Sequence, residues 1–246
     1  MKGGNYLVCK GILEKSGANL ALNSKVSGIL RGTKENKPKY ALELNGKTTE
    51  FMYDAVIIAV PLEVKADFIS CQTCSKWPKQ NEQGHYQQTV ATFVQGTLNY
   101  TSFGLAKASD APDTIFTVEN PDLFFSSIGD LKTVEHKVTG EMPVYKVFSR
   151  EALTQEQLEF LFTHVEGHAK RIEWLAYPHY TPPEKFTPFK LDNGVFYVNA
   201  IERAASAMEM GAIGGRNAAL LATQYLKLEQ PDVNNNLRKN SVKGEL

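Results

Sequence analysis

Residues 194–219 read GVFYVNAIERAASAMEMGAIGGRNAA, and this stretch decides the fold. Its first part, Gly194 to Ala200, is an apolar run of β-branched and aromatic side chains, which predicts a buried strand. A helix is predicted to follow from about Ser206 to Leu226, although three glycines lie inside it. Each glycine inside a helix costs about 1 kcal/mol relative to alanine. The glycines therefore indicate that some group approaches the helix backbone closely.

The start of this helix is a candidate ligand site. The first N–H groups of a helix have no acceptor within it, and they carry a partial positive charge. The small residues at 204–207, Ala-Ala-Ser-Ala, leave room there for a planar ring. The alternative is a helix packed tightly on a sheet, with Gly211, Gly214 and Gly215 needed only for close contact. The residues alone favour neither interpretation.

A second apolar run, Tyr53 to Pro61, reads YDAVIIAVP. Because it is continuous and not alternating, it predicts a strand buried on both faces of a parallel or mixed sheet. Residues before it predict a helix from Tyr6 to Lys15 that ends at Gly17. They also predict a hairpin turn at Asn45-Gly46. Short strands are predicted at 20–22, 26–30 and 40–44, with a returning segment at 47–53.

The middle of the chain is richer in proline and aromatic residues. A helix is predicted from Thr154 to about Arg171, because Thr154 and Gln157 match a capping box and an apolar stripe follows. Residues 174–188 predict an ordered extended segment. Together these elements predict a mixed α/β (α+β) fold.

Composition excludes several classes of protein. The 246 residues carry 27 Lys+Arg and 27 Asp+Glu, so the formal net charge of zero argues against a polybasic nucleic-acid binder. The hydrophobic fraction of 42% is too high for a disordered chain. No apolar run is long enough to predict a transmembrane helix. The length suits one large domain or two moderate ones.

Metal and thiol chemistry are not indicated. Cys71 and Cys74 supply one C-x-x-C pair, which is half of a zinc site, and Cys9 stands alone. A structural or incidental role for the pair is favoured. His164 and His168 lie four residues apart, without the H-E-x-x-H pattern of a zinc site. We therefore predict no metal centre.

Four stretches carry a resemblance to a known family. They are residues 196–219, residues 3–9 (GGNYLVC), the run at 53–61 and residues 174–185 (WLAYPHYTPPEK). In these stretches the chain resembles the FAD-dependent amine-oxidase-like superfamily and, within it, most closely the prenylcysteine oxidase family. The resemblance covers nearly the whole chain, and the stretch at 174–185 is the most specific to that family.

The resemblance implies FAD as cofactor and a set of cofactor-binding residues. Glu202 matches an acidic residue near the ribityl and phosphate region of the flavin, and Ala207 and Met208 match backbone positions near the N1/O2 edge. Val26 matches the position whose backbone meets the adenine. Ala59, Val60 and Pro61 match the end of a strand near the dinucleotide. Arg203 departs from the family, since a small or sulfur-bearing residue is expected there.

One expected motif is absent from the sequence. The family binds FAD through a βαβ unit with G-x-G-x-x-G, and no such fingerprint follows a strand here. The chain is therefore expected to be the C-terminal portion of a longer protein. By the resemblance, residues 1–61 and 192–230 belong to a discontinuous, Rossmann-like FAD-binding domain. Residues 62–191 form an inserted sheet-based substrate domain, and 231–246 form a mobile tail.

The function implied is oxidative cleavage of the thioether of farnesyl- or geranylgeranyl-cysteine, during degradation of prenylated proteins. The products are cysteine, a prenyl aldehyde and hydrogen peroxide. No acid–base pair is needed, because the cofactor carries the difficult chemistry. The catalytic residues are not identifiable. Two alternatives stay open: a non-catalytic homologue that acts as a binding module, and a flavin amine oxidase.

Substrate and location follow from the same resemblance. The partners implied are prenylated cysteine and oxygen, without nucleic acid. Candidate residues for an apolar prenyl pocket are aromatic: Phe124, Phe125, Phe148, Phe162, Trp174, Tyr177 and Tyr180. A lysosomal, lumenal glycoprotein is implied, with a signal peptide upstream, and Asn99-Tyr100-Thr101 is a glycosylation sequon.

Overall fold

The computed structural model describes residues 3–34, 37–62, 69–79, 85–118, 120, 122–132 and 142–226. The chain divides into two compact units. The first comprises Met1–Leu20 and Tyr86–Ala176, and the second comprises Ala21–His85 and Tyr177–Leu246. The predicted mixed α/β fold class is confirmed, since helices and several sheets occur together.

The helices are α1 (Tyr6–Ser16), α2 (Gln155–Leu161) and α3 (Met208–Leu226). The strands are β1 (Val26–Lys34), β2 (Lys37–Leu44), β3 (Lys47–Thr48), β4 (Val56–Ile58), β5 (Tyr86–Leu98), β6 (Thr114–Phe116), β7 (Ser127–Asp130), β8 (Val144–Ser149), β9 (Phe162–Val165), β10 (Lys170–Pro178), β11 (Lys190–Asp192) and β12 (Val195–Tyr197).

The first unit is organised by the long strand β5. The sheet runs in the order β10-β5-β8-β7-β6, and β9 also pairs with β5. Its core is apolar and includes Val94, Ile128, Val147 and Leu161, all nearly inaccessible to solvent. Helix α1 begins and ends as predicted, with Gly17 in the left-handed conformation at its C-terminus, but it buries none of its residues.

The predicted helix at 154–171 is wrong in its length. Its start is confirmed, because Thr154 and Gln157 form a complete capping box. The helix ends at Leu161, and the chain continues as β9. Phe162 and Val165 pack into the core, as expected for the apolar stripe of the predicted helix, but they belong to a strand. Pairing of β9 with β5 therefore outweighs the local helical pattern.

The second unit contains two three-stranded sheets, ordered β1-β2-β3 and β11-β12-β4. The Asn45-Gly46 turn is confirmed, with positive φ at both residues. Strands β1 and β2 are longer than the strands predicted at 26–30 and 40–44. Strand β3, which follows the turn, has only two residues. The predicted strand at Leu20–Leu22 is wrong: both leucines are exposed, at 57% and 80%, and join no strand.

The run at Tyr53–Pro61 forms a shorter strand than predicted, β4, and it is not buried on both faces. Ile58 is 3% exposed, whereas Ile57 and Val60 are 46% and 43% exposed. Within the described residues, β4 lies at the edge of its sheet and pairs only with β12. An apolar, β-branched run predicts burial. Burial on both faces also requires other residues to cover each face, and the described residues leave Ile57 and Val60 exposed.

The boundaries between the two units differ from the domain boundaries predicted from the sequence. Segments 69–79 and 177–191 belong to the second unit. Two contacts show why: Ser70 bridges to Gly28, and the N–H of Lys76 donates to the carbonyl of Leu191 at 2.9 Å. The functional labels given to 1–61, 62–191 and 192–230 stay predictions, and the predicted tail at 231–246 lies outside the described residues.

Helix α3 buries only one narrow face. Gly214, Ala218 and Ala222 lie four residues apart along it and are buried, the two alanines against Phe196 of β12. A Cβ on Gly214 would lie 2.6 Å from the carbonyl oxygen of Val198, so packing requires glycine there. A Cβ on Gly211 or Gly215 would meet nothing within 4 Å. Packing therefore explains one of the three glycines.

We expect Gly214→Ala to destabilise the protein by about 1–3 kcal/mol, because the added methyl group collides with a backbone carbonyl. Gly215→Ala should instead stabilise it by up to about 1 kcal/mol, from helix propensity. Urea unfolding of both variants measures the difference. Equal effects of the same sign would contradict the packing described for α3.

Tyr197 provides a second test of the core. Burial raises the pKa of its phenol from 10.0 to about 12, partly offset by the N–H of Leu62 that its oxygen accepts. Between these values the unfolded chain loses the proton while the folded chain keeps it. The free energy of unfolding therefore falls as pH rises, by about 1.4 kcal/mol per unit for one such group.

We expect Tyr197→Phe to show a shallower loss of stability above pH 10 than the parent chain, as measured by urea unfolding at a series of pH values. Tyr6→Phe, at a residue 66% exposed, is the matched control and should leave the slope unchanged. An identical alkaline slope for Tyr197→Phe and the parent would show that this phenol is not held neutral by the fold.

Candidate functional site

The candidate site lies where two parallel strands end side by side. Strand β12 pairs with β4 in parallel, with Val195 opposite Val56 and Tyr197 opposite Ile58. The segments that follow, 59–62 and 198–207, therefore leave the sheet at the same edge. In open α/β sheets, ligands bind outside the carboxyl ends of parallel strands.

A hydrogen bond ties the two segments together. The N–H of Leu62 donates to the phenolic oxygen of Tyr197 at 3.2 Å. Both residues are buried, with Ile58 and Ala200, in the main core of the second unit. The loop after β4 is thus fixed against the end of β12 by a bond that is shielded from water.

A 3-10 turn, Val198–Arg203, connects β12 to α3. The predicted strand at Gly194–Ala200 therefore ends early, at Tyr197. Ser206, Ala207 and Met208, at the start of α3, are all exposed. The N–H of Gly211 donates to the carbonyl of Ala207, so the amides just before Gly211 precede the first helical bond. The residues at this helix start are therefore accessible to solvent.

Glu202 lies inside this turn and is half-buried. Its carboxylate accepts hydrogen bonds from Nδ2 of Asn199 at 3.0 Å and from Oγ of Ser206 at 3.3 Å. A small cavity of about 70 Å³ is lined by Glu202, Ser206, Ala207, Met210 and Gly211, among others. The acidic group and the start of α3 therefore face the same space.

The proline-rich segment before β11, residues 178–188, contacts this turn. The hydroxyl of Tyr180 donates to the carbonyl of Glu202 at 3.1 Å. Burial raises the pKa of Tyr180, as does the charge of Glu202, whereas a hydrogen bond from the backbone N–H of Ser206 lowers it. The hydroxyl of Tyr180 thus holds the backbone of the turn at Glu202.

Arg203 points toward the same proline-rich segment. Its Nη1 lies 3.1 Å from Oε2 of Glu184, and the two side chains are 14% and 13% exposed. The other oxygen of Glu184 accepts the N–H of Thr181. Arg203 and Glu184 therefore form a partly buried ion pair, and loss of one partner would leave the other charge uncompensated. Glu184 is not among the site residues predicted from the sequence, although an arginine in a partly buried turn favours a nearby acidic partner.

Tyr177 and Tyr180 wall an open cleft of about 450 Å³, with Ala204, Ala205 and Ser206 on its other side. Both tyrosines are among the predicted prenyl-pocket residues. The remaining candidates lie in the first unit: Phe125 and Phe162 are buried in its core, Phe124 packs against that core, and Phe148 contacts Trp174. The cleft beside the start of α3 thus brings together two of the seven candidates.

The structure brings five of the six predicted cofactor-binding residues to the two segments at this edge. Ala59 and Pro61 follow β4, and Glu202, Ala207 and Met208 follow β12. Val26 begins β1 in the other sheet, where it pairs with Leu44. The binding roles of all six residues stay predictions.

Cys71 and Cys74 form a disulfide, and both are buried in the core of the second unit. Cys9 is a free, exposed thiol. Among the residues described, no group of His, Cys, Asp and Glu could hold a metal ion. In the same residues, no helix has the length and apolar character needed to cross a bilayer.

A model of the family described as "Prenylcysteine lyase" matches residues 1–235. Prenylcysteine oxidase 1 of Bos taurus is 39% identical over 239 residues, and that of Homo sapiens is 37% identical over 234; each match covers 90% of this chain and 46% of the relative. Farnesylcysteine lyase of Arabidopsis thaliana is 36% identical over 231 residues, covering 93% of this chain and 43% of the relative.

The chain thus spans about half the length of the curated relatives it matches. The family match extends over both structural units and over every segment of the candidate site. The chain belongs to the prenylcysteine lyase family.

Proposed function

We propose that this chain forms part of an FAD-dependent oxidase that cleaves the thioether of prenylated cysteine. The observation that supports this most strongly is the exposed start of α3, at the edge where β4 and β12 end, in a chain of this family. The net reaction converts the thioether, water and oxygen into cysteine, a prenyl aldehyde and hydrogen peroxide. We propose that it serves the degradation of prenylated proteins.

The residues at the site fit a flavin. Gly211 lines the small cavity, and a Cβ there would meet nothing in the chain, so the absence of a side chain suits a group that approaches from outside. Helix-start amides favour electron-rich atoms such as the O2 edge of the ring. The carboxylate of Glu202 can accept hydrogen bonds from ribityl hydroxyls. When bound, the flavin would accept the hydride from the carbon beside sulfur.

In this proposal the chain binds and orients, and it supplies no strong acid or base. Amides at 207–210 would hold the ring by one edge, and Pro61 and Ala59 would face the dinucleotide. The open cleft beside Tyr177 and Tyr180 would hold the apolar part of the substrate, because aromatic faces bury isoprenoid surface well. Because this cleft is open, water would reach the carbon beside sulfur, where the net reaction adds its oxygen.

We further propose that the protein works in an oxidising lumenal compartment, the lysosome. The Cys71–Cys74 disulfide supports this, since disulfides persist mainly outside the cytosol. The sequon supports it as well: Oγ1 of Thr101 donates to Oδ1 of Asn99 at 2.7 Å in a surface turn. Glycosylation of Asn99 is part of this proposal.

We expect the 246-residue chain alone to bind FAD poorly or not at all, because its sequence has no G-x-G-x-x-G fingerprint after a strand. A visible absorption spectrum of the purified chain measures this directly. The same chain joined to an upstream dinucleotide-binding segment should be yellow and should release peroxide from farnesylcysteine. Stoichiometric flavin on the chain alone would contradict the first expectation. A colourless extended protein would favour a non-catalytic binding module.

In the extended protein, Glu202→Gln and Ala207→Leu should each weaken flavin retention. Losing a hydrogen bond to a charged group costs about 1.5–3 kcal/mol, so Glu202→Gln should raise the dissociation constant by roughly tenfold or more. Flavin released on dialysis measures the effect. Ala212→Leu, at an exposed residue of α3, is the matched control for bulk. If both site variants retain flavin as the parent does, the cofactor site has been misplaced.

A further inference from the structure

A second cleft lies on the second unit, and none of the residues assigned to the cofactor lines it. It measures about 390 Å³ and is formed by residues 75–79 and 185–188. Lys76, Lys79 and Lys185 line it, together with Trp77 and Phe186. None of the described residues that line it is acidic.

Among the described residues, no side chain pairs with the positive charges of this cleft. In the described parts of the chain, none of the three lysines forms an ion pair or a side-chain hydrogen bond, and all three are exposed. The whole chain has a formal net charge of zero, so this concentration is local. A local cluster of lysines with nothing to pair with attracts anions.

The walls of the cleft are held by the core and by the proline-rich segment. Trp77 packs against the core cluster that contains the Cys71–Cys74 disulfide. The N–H of Lys76 donates to the carbonyl of Leu191 at 2.9 Å. On the other wall, Lys185 follows Glu184, whose carboxylate is fixed by Arg203. The lysines are therefore presented from a preformed surface.

Phe186 distinguishes this cleft from a site for a free anion. Its side chain is 59% exposed and lies between Lys185 and Thr187 at the cleft. An exposed aromatic ring adds nothing to the binding of a small hydrated anion. Aromatic rings beside lysines are typical of surfaces that settle at the boundary between lipid headgroups and acyl chains.

We propose that this basic aromatic cleft docks the chain onto an anionic lipid bilayer. The ammonium groups of Lys76, Lys79 and Lys185 contact anionic headgroups, and the ring of Phe186 enters the interface. The charge of the three lysines, the exposed ring and the lack of lining carboxylates among the described residues all match this partner. The inference rests on these residues and stands independently of the proposed oxidase activity.

Co-sedimentation of the full chain with vesicles tests the proposal. Vesicles of phosphatidylcholine and phosphatidylserine in equal amounts are compared with vesicles of phosphatidylcholine alone. A lysine near an anionic surface contributes about a fivefold gain in partitioning. The variant with Lys76→Gln, Lys79→Gln and Lys185→Gln should therefore bind the mixed vesicles roughly a hundredfold more weakly. Phe186→Ala should also reduce binding, and its loss should persist at high salt.

Lys47→Gln and Phe51→Ala, both at exposed residues of the same unit, are the matched controls and should bind as the parent does. Far-ultraviolet circular dichroism of every variant checks that it is folded. Failure of the parent chain to bind the mixed vesicles would overturn the proposal. So would equal binding to both vesicle types, or full release by millimolar inorganic phosphate, which would indicate a site for a soluble anion.

Discussion

The parallel pairing of β4 with β12 is the constraint on which the candidate site depends. It brings the residues after Ile58 and after Tyr197 to one edge, although the two strands are far apart in sequence. The buried hydrogen bond from Leu62 to Tyr197 then fixes the two outgoing segments together. Without this pairing, the start of α3 would be an ordinary exposed helix end with no neighbouring loop to complete a pocket.

The proline-rich segment gives the turn a second support. The hydroxyl of Tyr180 donates to the carbonyl of Glu202, and the partly buried Arg203–Glu184 pair holds the last residue of the turn. Such a pair adds little net stability, but removing one partner leaves the other charge unpaired. Arg203 thus helps to define the local structure.

The same segment connects two surfaces of different character. Its first half, through Glu184, contacts the turn that leads into α3, and its second half, from Lys185, forms one wall of the basic aromatic cleft. For an amphiphilic substrate, a lipid-docking surface and a reaction site carried by one ordered segment would shorten the path from bilayer to cofactor. In the proposed oxidase, this arrangement would let the enzyme act on substrate that partitions into lipid.

Local signals in the sequence were read correctly where short-range chemistry decides the outcome. The Thr154–Gln157 capping box, the Asn45-Gly46 turn and the Gly17 helix end are examples. Long-range pairing decided the rest. Residues 162–165 have a helical pattern but pair with β5 as a strand. The apolar run at 53–61 predicts a central strand, whereas among the described residues β4 lies at the edge of its sheet.

The candidate site shows the same limit. Glu202, Ala207 and Met208 could be proposed from one continuous stretch, whereas Tyr180 and Glu184 reach the turn only through the fold. The glycines of α3 were ambiguous in sequence, and the geometry separates them: Gly214 is a packing requirement, and Gly211 opens onto the cavity.

Amide hydrogen exchange, with flavin present and removed, tests the central claim most directly in the protein extended by a dinucleotide-binding segment. If the edge after β4 and β12 holds the cofactor, exchange should slow together in residues 59–62 and 206–211 when flavin binds. Protection confined to other parts of the chain, with these two segments unchanged, would contradict the account.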